Sequence, residues 1–386
     1  MRSGFLIYGS PKIEDDEIEE VVDSLRKSWL GTGPKVAQFE EDFKEYIGAK
    51  HAVAVHSCTA ALHLSMIATG IGYGDEVITT PMTFAATANS IIHTGGIPVF
   101  VDIDRASMTI DVNLIEQKIT KRTKAIIPVH FAGRACDIEK IMSLAHKYHL
   151  KVIHDAAHAI ETEYYGKKIG TYRDLTCYSF YSTKNIVTGE GGMVTTDNEE
   201  LAEKIKIYAL HGMTKDAWKR FSDSGYKHYQ IIYPGFKYNM MDIQAAIGIH
   251  QLKKIERYSL RRKEIWNRYS EALADLPLIL PASIEQNTRH AFHLYTILLD
   301  IAKVTITRDE FVNLLHKENI GTGIHYTALH LHPYYREHYA YKEGDFPNTE
   351  YVGERTISLP ISAKLTNKDV EDVINAIRSI LLINKK

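Results

Sequence analysis

The chain has 386 residues, 45% hydrophobic and 24% charged, with 46 basic against 48 acidic residues and a formal net charge of −2. That length buries a large core and suits one large unit with a smaller one, and the near-even balance excludes a protein that works chiefly as a polycation on nucleic acid or on an anionic membrane. No window approaches the roughly 18 apolar residues of a membrane helix, the N-terminus has no apolar signal core, and Cys58, Cys136 and Cys177 form neither a CxxC pair nor a disulfide framework, a usage that fits a reducing cytoplasm.

In chain order, Ile18, Val21, Val22, Leu25 and Trp29 recur at three- and four-residue spacing behind an acidic first turn, which predicts an amphipathic helix. The turn Gly31–Pro34 ends it, and a second amphipathic helix over 36–46 closes at Gly48, a left-handed cap. Short apolar runs then alternate with helical stretches: AVAV (52–55), EVITT (76–80), PVFVDI (98–103), AIIPVHF (125–131), KVIHD (151–155), LTCYSF (175–180) and GMVTT (192–196), with helices predicted over 59–69 and 137–149. Runs without strict alternation suit strands covered on both faces, so the fold class is α/β, with a mostly parallel sheet wrapped by helices. The stretch 214–234 has no clear period and reads as a long loop. From about residue 251 a charged helix (253–273) leads into a smaller α/β segment with HLYTILLD, a helix over 309–318, GTGIHY, RTISLP and a last helix over 368–382. The expected division is 1–250 for the large unit and 251–386 for the small one. The basic run Arg261, Arg262, Lys263 reads as a solvated helix face.

Ligands of such sheets lie beyond the carboxyl ends of the strands, so the residues just past each strand are the ones to inspect. Ser57-Cys58-Thr59 opens a helix, so free N–H groups and the positive dipole end make an anion site there. Asp155 ends the apolar run KVIHD, and His158 comes three residues later; a carboxylate at the mouth of a buried strand needs a partner, and a protonated pyridine nitrogen is one. Lys184 lies just past the next strand end, at Ser179-Phe180, in a short loop closed by Gly189, Gly191 and Gly192. Partial burial would lower its pKa as a covalent amine requires. An anion nest, a carboxylate and a lysine at three strand ends point to pyridoxal 5′-phosphate (PLP), with Lys184 holding the cofactor as a Schiff base and Asp155 pairing with its ring nitrogen.

On GTGP (31–34), HSCTAALH (56–63), GDEVITTPMTFAATAN (74–89), TKAIIPVHFAG (123–133), HDAAHA (154–159), SFYSTKNIVTGEGGMVTT (179–196), HGM (211–213) and GFKYNMMDIQAAIGIHQL (235–252), the sequence resembles the DegT/DnrJ/EryC1/StrS sugar aminotransferases over nearly its whole length. The strings GTGIHYTALHLHPYY (321–335), PNTE (347–350) and LPISAKL (359–365) look most like the subgroup acting on UDP-linked 4-keto sugars, the UDP-4-amino-4-deoxy-L-arabinose aminotransferases being the nearest pattern. The resemblance implies PLP fold type I, aspartate-aminotransferase-like. It implies transfer of an amino group from L-glutamate to a nucleotide-linked 4-keto sugar for cell-surface glycan or lipopolysaccharide synthesis, in a homodimer with shared active sites. It places Lys184 and Asp155 in catalysis; Cys58, Thr59 and Ser179 at the phosphate; Phe84 on the cofactor face; His158 beside the ring; Asn239 at the phosphate of the neighbouring subunit; and His325 and Tyr326 near the sugar nucleotide. Cys58 stands where a smaller residue is usual, which would sensitise the site to oxidation if the thiol were exposed. No metal is expected of His325, His330 and His332, which lack a nearby acid or cysteine. Two alternatives are a sugar dehydratase, whose relatives carry His at the position of Lys184, and a non-enzymatic regulatory member, which would have lost the cofactor residues.

Overall fold

The computed structural model describes residues 2–172, 175–214 and 229–386; most of the loop expected at 214–234 lies outside them. The chain alternates β1 (His51–Val55), β2 (Glu76–Thr79), β3 (Ile97–Phe100), β4 (Thr123–Ile126), β5 (Lys151–Asp155), the short ribbon β6 (Glu163–Tyr164) and β7 (Lys167–Lys168), then β8 (Leu175–Ser179) and β9 (Gly192–Thr196) with helices. The main sheet runs in the order β1-β9-β8-β5-β4-β2-β3. Its pairings are parallel except where β9 meets β8 and β1. Every residue of β2, β8 and β9 is buried, as the unalternated runs predict. On one face Val53, Val55, Cys177 and Val194 meet Leu62, Leu64 and Met66 of the helix Cys58–Ala68; on the other, Ala52, Ala54, Tyr178 and Met193 meet Phe39 and Phe43 of the helix Pro34–Ile47. That second helix ends at Gly48 with φ 83°, the left-handed cap its sequence calls for. Its start has no side-chain cap of its own; the buried carboxylate of Asp242 accepts from the N–H groups of Gly33 (2.7 Å), Lys35 (3.2 Å) and Val36 (3.0 Å) instead.

The smaller sheet, β10 (Leu278–Ile279), β12 (Tyr295–Leu299) and β13 (Thr356–Leu359), is antiparallel, while β11 (Thr288–Arg289) extends the β6–β7 ribbon. One continuous helix, Asp242–Ala272, spans the expected boundary at 250/251. Its Ile265, Trp266 and Tyr269 enter the C-terminal core, which Leu6 from the N-terminus also joins. The string GTGIHY makes an isolated bridge, Gly323 to Ser358, rather than a strand.

The structure sharpens one sequence expectation and corrects another. The first helix forms as predicted, over Asp15–Arg26, with part of its apolar stripe outward: Ile18 and Leu25 are 51% and 53% exposed, and Trp29 beyond its end 47%, while Val21 and Val22 are half-buried and Glu17 is 1% exposed. The acids win the inner face because the helix Asp242–Ala272 presents a basic one. Lys254 Nζ reaches Glu17 (2.9 Å), Glu14 (3.1 Å) and Asp16 (3.2 Å), and His250 Nε2 reaches Glu20 (3.0 Å). Removing one member of a buried pair strands the other, so Lys254→Met is expected to destabilise the protein by about 3 kcal/mol in urea unfolding; a loss under about 0.5 kcal/mol, the range of ordinary surface changes, would refute the pairing. The correction concerns Arg262. It is 3% exposed, not solvated, and its guanidinium donates to the fully buried Glu161.

Candidate active site

Residues just past β1, β2, β4, β5 and β8 converge with the segment 324–326 on one cavity of about 550 Å³. Nine of the ten site residues expected from sequence line it: Cys58, Thr59, Phe84, Asp155, His158, Ser179, Lys184, His325 and Tyr326. Asn239 does not. It lies against a separate pocket with Thr32, to whose Oγ1 its Nδ2 donates (2.6 Å), and its buried Oδ1 has no partner among the described residues.

Ser57 caps the helix Cys58–Ala68, its hydroxyl accepting from Ala60 N–H at 3.1 Å, so the backbone N–H groups of Cys58 and Thr59 are left over at the cavity edge. This turn packs tightly on β9. A Cβ added at Gly192 would lie 2.5 Å from the carbonyl carbon and oxygen of Ser57 and 2.6 Å from Cys58 N. Gly192→Ala is therefore expected to displace the nest and weaken retention of an anionic ligand by about tenfold or more, measured by equilibrium dialysis; unchanged retention would show that the nest is not the anion site. Cys58 is half-buried at the cavity edge, and desolvation there pushes its thiol well up, which lowers its thiolate content.

Asp155 Oδ2 accepts from Thr87 Oγ1 (2.8 Å) and Oδ1 from Ala157 N–H (3.1 Å). Burial raises its pKa against those two hydrogen bonds. Lys184 Nζ makes no hydrogen bond or ion pair among the described residues; burial brings its pKa down to about 8, against the pull of Cys58 and Asp155. His158 Nδ1 accepts from Ala132 N–H (3.2 Å), so its hydrogen sits on Nε2 and points to Tyr326 Oη (3.3 Å), leaving the tyrosine hydroxyl free to donate into the cavity. Burial, with Lys184 nearby, keeps His158 neutral. Phe84 is 62% exposed, so it is no core residue; its ring faces Tyr326 at 6.2 Å. His325 Nδ1 meets Ser358 Oγ at 2.9 Å. His330 belongs elsewhere, paired with Glu350 at 2.9 Å.

A neutral-capable lysine, a hydrogen-bonded buried carboxylate and an anion nest around one cavity are the parts a pyridoxal cofactor needs, and comparison with known proteins decides the matter. The DegT/DnrJ/EryC1/StrS aminotransferase family model matches residues 11–378. The chain belongs to that family. It is 54% identical over its full length to the uncharacterised protein MJ1066 of Methanocaldococcus jannaschii, likewise over that protein's full length. It is 50% identical to the spore coat polysaccharide biosynthesis protein SpsC of Bacillus subtilis, over 98% of each chain. The structure superposes with a TM-score of 0.91 on Spr1654 of Streptococcus pneumoniae, at 32% identity, covering 98% of each chain in the PMP form and 98% and 99% in the PLP form. This is a PLP-dependent sugar aminotransferase of fold type I, and PLP is its cofactor.

Four residues escaped the sequence reading: Thr87, which lines the cavity and donates to Asp155, and, behind the cavity wall, the buried hydrogen-bonded set Glu161, Asn185 and His293. Thr87 stands one helical turn beyond Phe84, and Asn185 adjoins Lys184, so proximity to the motifs was the available signal; His293 had none.

Proposed function

We propose that the family member moves an amino group from L-glutamate to a nucleotide-linked 4-keto sugar, of the UDP-linked kind, leaving a 4-amino-4-deoxy sugar for a cell-surface glycan, in the cytoplasm. The observation that carries the reading is the meeting of Lys184, Asp155 and the Cys58 helix N-terminus at one cavity. PLP, when bound, supplies the electron sink that makes an amino donor's α-proton removable. Lys184 Nζ would hold it covalently and, as the free amine, take up and return that proton. Asp155 would face the ring nitrogen. The Cys58 and Thr59 N–H groups and the Thr59 and Ser179 hydroxyls would hold the phosphate, Phe84 would cover a ring face, and His158 would sit beside it. His325 and Tyr326 would face the sugar nucleotide. SpsC is a polysaccharide biosynthesis protein, which supports a sugar acceptor. Asn239, turned from its own cavity with an unpartnered Oδ1, supports a homodimer in which each subunit completes the other's site.

The neutral amine is the nucleophile toward the cofactor aldehyde. Cofactor uptake by the cofactor-free protein is therefore expected to quicken as pH rises and to level off above about 8, where Lys184 loses its proton; a rate independent of pH between 6 and 10 would overturn that assignment. The reading as a whole is tested with purified protein, L-glutamate and a panel of nucleotide-linked keto sugars, scoring 2-oxoglutarate release. Turnover confined to 4-keto sugars supports it, and release with none of them overturns the substrate. A dehydratase is disfavoured by the lysine at 184, and a non-enzymatic member by the intact cavity; a colourless purified protein would revive the latter.

A further inference from the structure

Behind the cavity wall runs a second line of polar side chains, all buried: Arg262 (3% exposed), Glu161 (0%), Asn185 (8%) and His293 (5%). Asn185 Nδ2 donates to Glu161 Oε2 (2.8 Å) and to Ala291 O (3.0 Å), while the other Glu161 oxygen accepts from Arg262. With its amide hydrogens so used, Asn185 has only Oδ1 left to offer, and it lies 2.9 Å from His293 Nδ1. That nitrogen must therefore carry the imidazole hydrogen. The His293 ring centroid stands 4.4 Å from that of His158. The line begins on the helix Asp242–Ala272, passes through the loop after β5, and ends one residue from Lys184 and one ring from His158. A buried carboxylate and guanidinium are costly to desolvate, and an apolar pair would join helix to loop at least as stably. Holding power alone therefore does not account for these residue types.

We propose that Arg262, Glu161 and Asn185 are positioning residues that fix His293 in its Nδ1–H form beside His158 and tie the lysine-bearing loop, through Asn185, to the loop after β5. The proposal rests on the reading of Lys184 as the cofactor lysine. The groups acting electrostatically on Lys184 are Asp155 from β5 and Cys58 from its helix, and Lys184 in turn acts on His158, His293 and His325. His293 also faces His325, Arg262 and His290. Glu161 is the one acid that the line brings to this wall, and Arg262 cancels its charge, with Arg289, Glu256 and Tyr46 also acting on Arg262.

That cancellation sets the signs. Arg262→Met leaves the Glu161 carboxylate, hydrogen-bonded to the residue after Lys184, without its guanidinium and favours the protonated lysine nitrogen; Glu161→Gln leaves Arg262, which lines one pocket with Lys184, without its carboxylate and disfavours it. The test is a pH titration of the visible cofactor band of each holoenzyme. Arg262→Met should raise the midpoint by roughly half a unit or more and Glu161→Gln should lower it by a similar amount. The double variant, which keeps an acceptor for Asn185 without either charge, should return close to wild type. Asn185→Ala should lower kcat by about tenfold with the donor KM little changed. Midpoints and kcat at wild-type values in Glu161→Gln and Asn185→Ala, with only a lower Tm, would make the line merely structural and overturn the proposal. A wild-type band that persists unshifted in Lys184→Ala would instead overturn the reading of Lys184.

Discussion

Lys184→Ala is expected to lower kcat by more than about a thousandfold and to abolish any borohydride-trappable attachment of PLP, measured by steady-state assay and by mass spectrometry of the reduced protein. The size reflects the two roles proposed for one atom, covalent attachment and proton transfer, with no second lysine lining the cavity among the described residues. The substitution should not harm folding. Lys184 Nζ has no hydrogen-bond or ion-pair partner there, and burial disfavours its charge, so the cofactor-free variant should melt at or above the wild-type temperature. A variant that turned over at the wild-type rate would remove Lys184 from catalysis.

The second large effect concerns Asp155. Asp155→Asn keeps the shape, its Oδ1 still accepting from Ala157 N–H while its Nδ2 donates to Thr87 Oγ1, whose own hydrogen turns to Thr83, but it cannot carry the negative charge that would keep a ring nitrogen protonated. It is expected to bind PLP and to unfold within about 1 kcal/mol of wild type while losing more than about a hundredfold in kcat. Asp155→Ala strands the Ala157 N–H and should cost a further 1–3 kcal/mol or so in stability, since Thr87 Oγ1 retains Thr83 Oγ1 at 2.7 Å. Comparing the two variants separates charge from hydrogen bonding, and near-normal turnover in Asp155→Asn would end the nitrogen-pairing role.

The sheet and its site were legible because both depend on local pattern. Buried strands read as unbroken apolar runs, and the chemistry sits at their ends, so Asp155 after KVIHD and Lys184 after LTCYSF could be placed before any geometry was known. What escaped depends on pairing between distant segments. Arg262 looks solvated in an Arg-Arg-Lys run, since nothing local announces Glu161 a hundred positions earlier. The first helix was predicted in the right place but without its facing, because periodicity reports that a stripe exists and not what opposes it; Lys254 and His250 decided that. Asn239 was legible as a motif residue, yet its position outside its own chain's cavity becomes meaningful only with a second subunit.

The antiparallel strand β9 has a consequence for how the protein matures. It enters the sheet between β1 and β8, separating the strand that carries the nest from the strand that leads to the lysine, and its first residue, Gly192, packs on Ser57. Until β9 is seated, β1 has no partner in the sheet, and the nest reaches β8 only through the packing of the helix Cys58–Ala68; the missing pairings join segments far apart in sequence, a slow kind of contact to form. Cofactor capture therefore acts as a readout of completed assembly: a nascent or misfolded chain lacking that strand has a lysine and a nest but no strand to hold them in register, and colour acquisition during refolding should coincide with the last cooperative phase rather than precede it.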